Sequence, residues 1–210
     1  MDRQVTENYR KLPRQKRSQA TVEAILTGAA QILAERGYER MTTAAVAERA
    51  GVSIGSLYQY FPDKVALASA VLDHSSDGFA ASFEAKLELG PATSLLASID
   101  AMIAFARSAH KDAPAQHRAL DELAARLGRT GKTREISARI AAMIEARLAL
   151  HAEEIAADIP LSAAAALIQI VLESVTHRAL ENHPVGSETG MMEQSRRMIL
   201  AYLRHPETIT

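Results

Sequence analysis

Thr42-Thr43-Ala44-Ala45-Val46-Ala47-Glu48-Arg49-Ala50-Gly51-Val52-Ser53-Ile54-Gly55-Ser56-Leu57-Tyr58-Gln59-Tyr60-Phe61 is the run of sequence that decides the fold. Either threonine offers a hydroxyl to cap a short helix reaching Ala50. Gly51 supplies a residue able to take the positive φ of a tight corner. Two residues on, Ser53 is placed to cap a second short helix that closes near Phe61-Pro62. Ala47 is small enough for the two helices to approach closely, and Val46, Val52 and Leu57 supply the apolar contacts that fix their angle. A short helix, a glycine, two residues and another short helix is helix-turn-helix spacing. The first turn after Ser53 would point its amides outwards, where a phosphate can sit. Gly-Val-Ser alone is a weak signal; the whole twenty-residue arrangement is a specific one.

Outward from this stretch almost every segment reads as helix, because alanine and leucine dominate and no stretch alternates apolar and polar for long. Upstream, Val22, Ile25, Ala29, Ile32 and Leu33 recur at spacings of three and four, predicting a helix over about 18–36 with Gly37 as its stop. Downstream, Asp63 suits the positive end of a helix dipole and opens a helix through Asp77-Gly78 that continues to Leu89. Prolines and glycines then mark off helices over about 93–109, 115–127, 133–156, 161–181 and 191–204. The fold class expected is all-α, about nine helices: an N-terminal three-helix helix-turn-helix domain followed by a larger helical bundle.

The 210 residues carry 24 Lys+Arg against 25 Asp+Glu, a net charge of −1, which at face value speaks against a polyanionic partner. The distribution says otherwise. Residues 1–64 hold ten basic and seven acidic side chains, and the remainder fourteen and eighteen. Among the first twenty, Arg3, Arg10, Lys11, Arg14, Lys16 and Arg17 face only Asp2 and Glu7. A mildly basic head on an acidic body suggests that the head alone meets a polyanion. The alternative for the arm is a solvated tail. With no cysteine there is no disulfide, thiol nucleophile or thiolate metal site, which fits a reducing interior. The first twenty residues hold no apolar run to serve as a signal peptide, and no stretch is apolar enough to span a bilayer. A cytoplasmic protein without membrane attachment is the expectation.

The segment from about Ala20 to Leu72 resembles the DNA-binding domain of the TetR family of bacterial transcriptional regulators. The resemblance rests on Ile25, Ala29, Gly37, Thr42-Thr43, Val46-Ala47, Ala50-Gly51-Val52-Ser53, Gly55, Leu57-Tyr58, Tyr60-Phe61, Lys64 and Leu67. It covers about a quarter of the chain by motif, and the full length by size and helix count. It implies a basic arm over 1–17, a DNA-binding domain over 18–66, an effector-binding and dimerisation domain over 67–204 and a tail over 205–210. It further implies a repressor that binds a palindromic operator as a homodimer and is released by a small-molecule effector, with no cofactor and no bound metal.

In such domains the second helix of the motif enters the major groove. The resemblance thus places Ser53, Ile54, Gly55, Ser56, Tyr58, Gln59 and Tyr60 near DNA, with Leu57 and Phe61 turned inwards. Gln59 is the candidate for an adenine edge, because its amide pairs bidentately there, and Ile54 suits a thymine methyl. Thr42, Thr43 and Lys64 match positions that grip the backbone, which set register without reading sequence. Plainer readings stand beside these: Tyr58 and Tyr60 as packing residues, Thr43 as a cap, Gly55 as room for close approach. No arginine lies within Ile54–Tyr60, so a bidentate guanine contact from this helix is excluded.

For the body, Met102, Phe105, His117, Met143, Arg147, Glu173 and His177 are the candidate effector-binding residues. Methionine at helical spacing is equally explained as core. Glu173 and His177, four apart on an otherwise apolar helix, make either a ligand-orienting pair or a satisfied pair at the dimer interface. The helix over 161–181 is apolar almost all round and, with that over 191–204, resembles a family dimer interface. No Gly-rich phosphate loop or His-Glu-x-x-His motif is present, and His151-Ala152-Glu153-Glu154 reads as a solvated face, so no enzyme is expected. The competing function is an all-helical structural or interaction module without DNA binding.

Overall fold

In a computed structural model, residues 10, 15–89, 94–112, 114–128, 130–180 and 188–204 are described. They form nine α-helices and no strand among the described residues: α1 Lys16–Arg40, α2 Thr43–Arg49, α3 Ile54–Tyr60, α4 Lys64–Leu89, α5 Leu95–Asp112, α6 Pro114–Arg126, α7 Thr130–Ala149, α8 Leu161–Leu180 and α9 Glu188–Leu203. A single 3₁₀ turn, Ala152–Glu154, follows α7. None of these helices is long and apolar enough to cross a membrane.

The starts and stops follow from side chains read off the sequence. Thr42 accepts from the Ala45 amide at 3.2 Å and Ser53 from the Ser56 amide at 3.0 Å, so each caps its helix. Asp63 accepts from the Ala66 amide at 2.8 Å and opens α4. Gly51 takes the corner at φ 67°. Gly37 leaves helical geometry at φ 72°, so the regular part of α1 ends where the glycine predicts and a last turn carries on to Arg40.

One expectation fails. The helix predicted to 156 ends at Ala149, because His151 and Glu154 are held by partners that a continuing helix would carry them away from. The Nε2 of His151 lies 3.0 Å from the Ser98 hydroxyl, and the Leu95 amide donates to Glu154 at 2.9 Å. The expected solvated face therefore fails at His151, which is buried, while Ala152, Glu153 and Glu154 are exposed.

Packing divides the chain into two compact units, Met1–Gly78 with Ala115–Thr133, and Phe79–Pro114 with Arg134–Thr210. This differs from a boundary drawn along the sequence at 66/67. The core of the first unit joins Val22, Ile25, Leu26, Ile32 and Leu33 of α1 to Val46 of α2, Leu57 of α3, Phe61, and Leu67 and Val71 of α4. Ala119 and Leu123 of α6 belong to the same core. Burying each large apolar side chain here contributes about 1.5–3 kcal/mol. Around it, Arg49 of α2 bonds the Glu35 carboxylate of α1 through both guanidinium ends at 2.8 Å. That hydrogen bond holds the Glu35 carboxyl below its ordinary value and raises Arg49.

The second unit packs Phe83 and Leu87, Leu95, Ile99 and Met102 of α5, Ile144 and Leu148 of α7, Ile168 and Leu172 of α8, and Ile199 and Leu203 of α9. An ion pair between Arg196 and Asp100 joins α9 to α5, and the Asp100 hydrogen bond raises the arginine's pKa.

Candidate nucleic-acid interface

The seven residues of α3 present two faces. Leu57 is fully buried, Phe61 at the C-cap is likewise enclosed, and both face the core. Ile54, Gly55, Tyr58 and Gln59 are exposed, with Ser56 half-buried at the edge. The outward set therefore combines one apolar side chain, one amide with both donor and acceptor, one phenol and a residue without a side chain. That is the equipment for reading base edges with little bulk. Gly55 has ordinary helical geometry, and a Cβ there would meet only the Ser53 hydroxyl at 3.8 Å. Nothing inside the fold requires glycine at this position, so space outside the fold is what its absent side chain provides.

The flanking polar groups are arranged in pairs. Thr43 Oγ1 and the Tyr58 hydroxyl lie 3.0 Å apart, linking the start of α2 to the outer face of α3. In such a pair one hydroxyl donates to the other, leaving the second proton available to an anion. Ser53 and Ser56 hydroxyls are 2.8 Å apart in the same manner. Lys64 is half-buried; its ammonium donates to the Glu39 carbonyl at 3.2 Å and lies 4.2 Å from the centre of the Tyr38 ring. It ties α4 to the end of α1, and any phosphate contact it makes is in addition to that role. Tyr60 takes the packing alternative: it keeps only 8% of its surface and its ring belongs to the core. The spacing is the cause: Tyr60 follows Leu57 by three and precedes Phe61, which puts it on the inward side.

The effector candidates separate. Met102 is fully buried in the second core, with Phe105 and Met143 packed against it. Phe105 meets Phe79 and Phe83 edge to face, at centroid distances of 5.3 and 5.1 Å. Arg147 is buried too, donating through Nε to Ser98 at 3.0 Å and through a terminal nitrogen to the Leu87 carbonyl at 2.8 Å. His117 lies on α6, within the first unit. Glu173 is exposed and hydrogen-bonded to Gln169, on the outward side of α8 with Ile170, not in the interior of its unit. The side chain of His177 lies outside the described residues. Among the described residues no three His, Cys, Asp or Glu converge to hold a metal ion.

The polar chain Arg147–Ser98–His151–Glu154, buried at its first three members, was not assembled by sequence reasoning. His151 Nδ1 lies 3.3 Å from Glu154, whose other oxygen is 3.6 Å from Arg204 at the end of α9. A signal existed, since Arg147, His151 and Glu154 are spaced by four and three and so share one helical face. Ser98, which meets both Arg147 and His151, is 49 and 53 residues away from them and carries no signal of its own.

Two family models match the chain: "Bacterial regulatory proteins, tetR family" over residues 25–71, and "Tetracyclin repressor-like, C-terminal domain" over residues 94–203. The nucleoid occlusion factor SlmA of Haemophilus influenzae is 52% identical over 40 residues, covering 19% of this chain and 18% of that protein. The HTH-type transcriptional repressor KstR of Mycolicibacterium smegmatis is 48% identical over 48 residues, covering 23% and 24%. The chain thus spans between a sixth and a quarter of the length of these relatives. Among solved structures, a TetR-family transcriptional regulator from Streptomyces coelicolor is similar over 87% of this chain and 95% of its own, with TM-score 0.64 and 23% identity. SmeT, in complex with triclosan, is similar over 91% and 95%, with TM-score 0.66 and 18% identity. At these identities the structural likeness concerns the fold.

The two glycines of the motif separate by measurement. Gly51→Ala forces a side chain into positive φ and lowers stability by about 1–2 kcal/mol. Gly55→Ala removes a helix-interior glycine without a clash and raises it by up to about 1 kcal/mol. Denaturant unfolding of both variants checks this; a destabilised Gly55→Ala would mean that the fold itself needs that glycine.

Proposed function

Because the chain belongs to the tetR family of bacterial regulatory proteins, we propose that it is a transcriptional repressor that binds a palindromic DNA operator as a homodimer and is released by a small molecule. The observation that carries the reading is the outward face of α3, where Ile54, Gly55, Tyr58 and Gln59 stand clear of a core that holds Leu57 and Phe61. α3 lies in the major groove, Gln59 addresses an adenine edge and Ile54 a thymine methyl. Thr42, Thr43, Ser53, Ser56, Tyr58 and Lys64 set the register on phosphates. Residues 18–66 form the reading head and 67–204 the effector-binding and dimerising part, with α6 structurally shared with the head's core. KstR, similar in the motif region, is named a repressor, which supports repression as the direction of control. The protein acts in the cytoplasm, where its operator is.

The small molecule is proposed to bind in the second unit among Met102, Phe105, Met143 and Arg147. SmeT, of similar fold, binds triclosan. Release follows if the ligand prefers a state of the dimer with misplaced recognition helices; DNA then weakens the ligand by the same factor. The dimer forms through α8 and α9. Leu167, Ile170, Met198 and Tyr202 are large apolar residues left exposed on these two helices, and solvent exposure of such a set is unfavourable without a partner. A twofold dimer matches a palindromic site.

Selection of bound duplexes from a random pool tests the reading directly. A palindromic consensus is expected, and Gln59→Ala relaxes one base position in each half-site at a cost of about 1–3 kcal/mol. No enrichment of any duplex would favour the interaction-module alternative. For the dimer, sedimentation of Ile170→Glu is expected to give a monomer with weakened duplex binding. A monomeric wild-type protein would refute the proposed interface.

A further inference from the structure

The basic arm meets the fold at one described point. The backbone N–H of Arg10 donates to the carbonyl of Tyr60 at 2.7 Å, and Tyr60 is the last residue of α3. Terminal helix carbonyls lack intrahelical partners, so this bond satisfies one of them and holds the main chain of Arg10 at the C-terminal end of the helix. A bond from main chain to main chain fixes the position of Arg10 but makes no use of its side chain. That side chain is exposed, and among the described residues its guanidinium forms no ion pair. Two other arginines of the same unit are matched by carboxylates, Arg49 by Glu35 and Arg126 by Glu39.

Two more cations follow. Lys16 and Arg17, both exposed, occupy the first turn of α1, where no acidic residue is present. The helix dipole disfavours cations there, so helix stability does not account for them. The fold spends a hydrogen bond on placing Arg10 and draws no ion pair from its charge. At about 1.5 Å per residue, α3 is on the order of 10 Å long, so this anchor lies within the same span as the outward face.

We propose that Arg10 is a DNA-contacting residue, held by the Tyr60 carbonyl so that its guanidinium grips the phosphate backbone beside the groove that α3 enters. The inference rests on the reading of α3 as the helix that faces DNA. Phosphate is chosen over a base edge because Arg10 lies beyond the last residue of α3, past Ile54 and Gln59, the side chains read as facing the bases. A helix so placed leaves the groove towards the backbone at that end.

The test is duplex binding over a range of salt, using a short mixed-sequence duplex so that no operator need be known. Each phosphate neutralised contributes about −0.9 to the slope of log affinity against log salt. Arg10→Ala, which keeps the N–H, is expected to make the slope shallower by about 0.9. It should weaken binding several-fold at low salt and leave thermal melting unchanged. Arg10→Lys should retain the slope, since a phosphate accepts either cation. Arg10→Ala with Glu153→Gln restores the net charge on an exposed turn of the second unit and should behave like Arg10→Ala alone. A slope unchanged in Arg10→Ala, or one restored by Glu153→Gln, overturns the proposal while leaving the DNA-facing reading of α3 intact. Failure of the wild-type protein to bind any duplex overturns both.

Discussion

The burial of Leu57 and Phe61 in the core beneath α3 is the constraint on which the functional surface depends. A helix of seven residues is too short to persist alone, because nucleation costs more than so few hydrogen bonds return. α3 exists because Ser53 caps it and because that core holds its inner side. Once Leu57 points inwards, the helical repeat fixes where every other side chain goes. Ile54, Tyr58 and Gln59 are turned out by the same rotation that turns Tyr60 in. The recognition face and the packing face are therefore one decision.

The supporting contacts restrain that rotation from several sides. α1 and α2 are joined by the Arg49–Glu35 bond, α2 and α3 by Thr43 and Tyr58, and α4 to the end of α1 by Lys64. Tyr38 receives both Lys64 and Arg126 over its ring, so α4 and α6 share an aromatic anchor with α1. In the second unit a buried polar chain replaces this surface bracing. Ser98 receives Arg147 and lies beside His151, and Glu154 holds the start of α5. A network of this kind fixes helices in register, and loss of one member strands the others without partners.

Much of this was legible in the sequence. Periodicity and punctuation placed the helices, with most ends displaced by three residues or fewer, α1 running four further and α7 stopping seven short, and the caps at Thr42, Ser53 and Asp63 follow from residue type alone. The inward turn of Leu57 was likewise plain. For Tyr60 packing and DNA contact both stay open in the sequence, because an aromatic residue with a hydroxyl suits either face, and only the rotation of a seven-residue helix buries its ring. The place of His117 was not legible because sequence order puts α6 among the body helices, whereas Ala119 and Leu123 pack it in the first core. The early end of α7 and the Ser98 hub were hidden because both depend on partners distant in sequence. Net charge misled for a related reason. Its sum is nearly zero, and only its position carries information.

The most direct test of the central claim, that one face of α3 is held out by its core to read DNA, is a ¹H–¹⁵N NMR titration of the protein with duplex DNA. Amides of Ile54, Gly55, Ser56, Tyr58 and Gln59 are expected to shift first and furthest, with Thr42 and Thr43 following and buried positions such as Ile144 unmoved. Shifts confined to the second unit, or a duplex that leaves α3 unperturbed, would contradict the account.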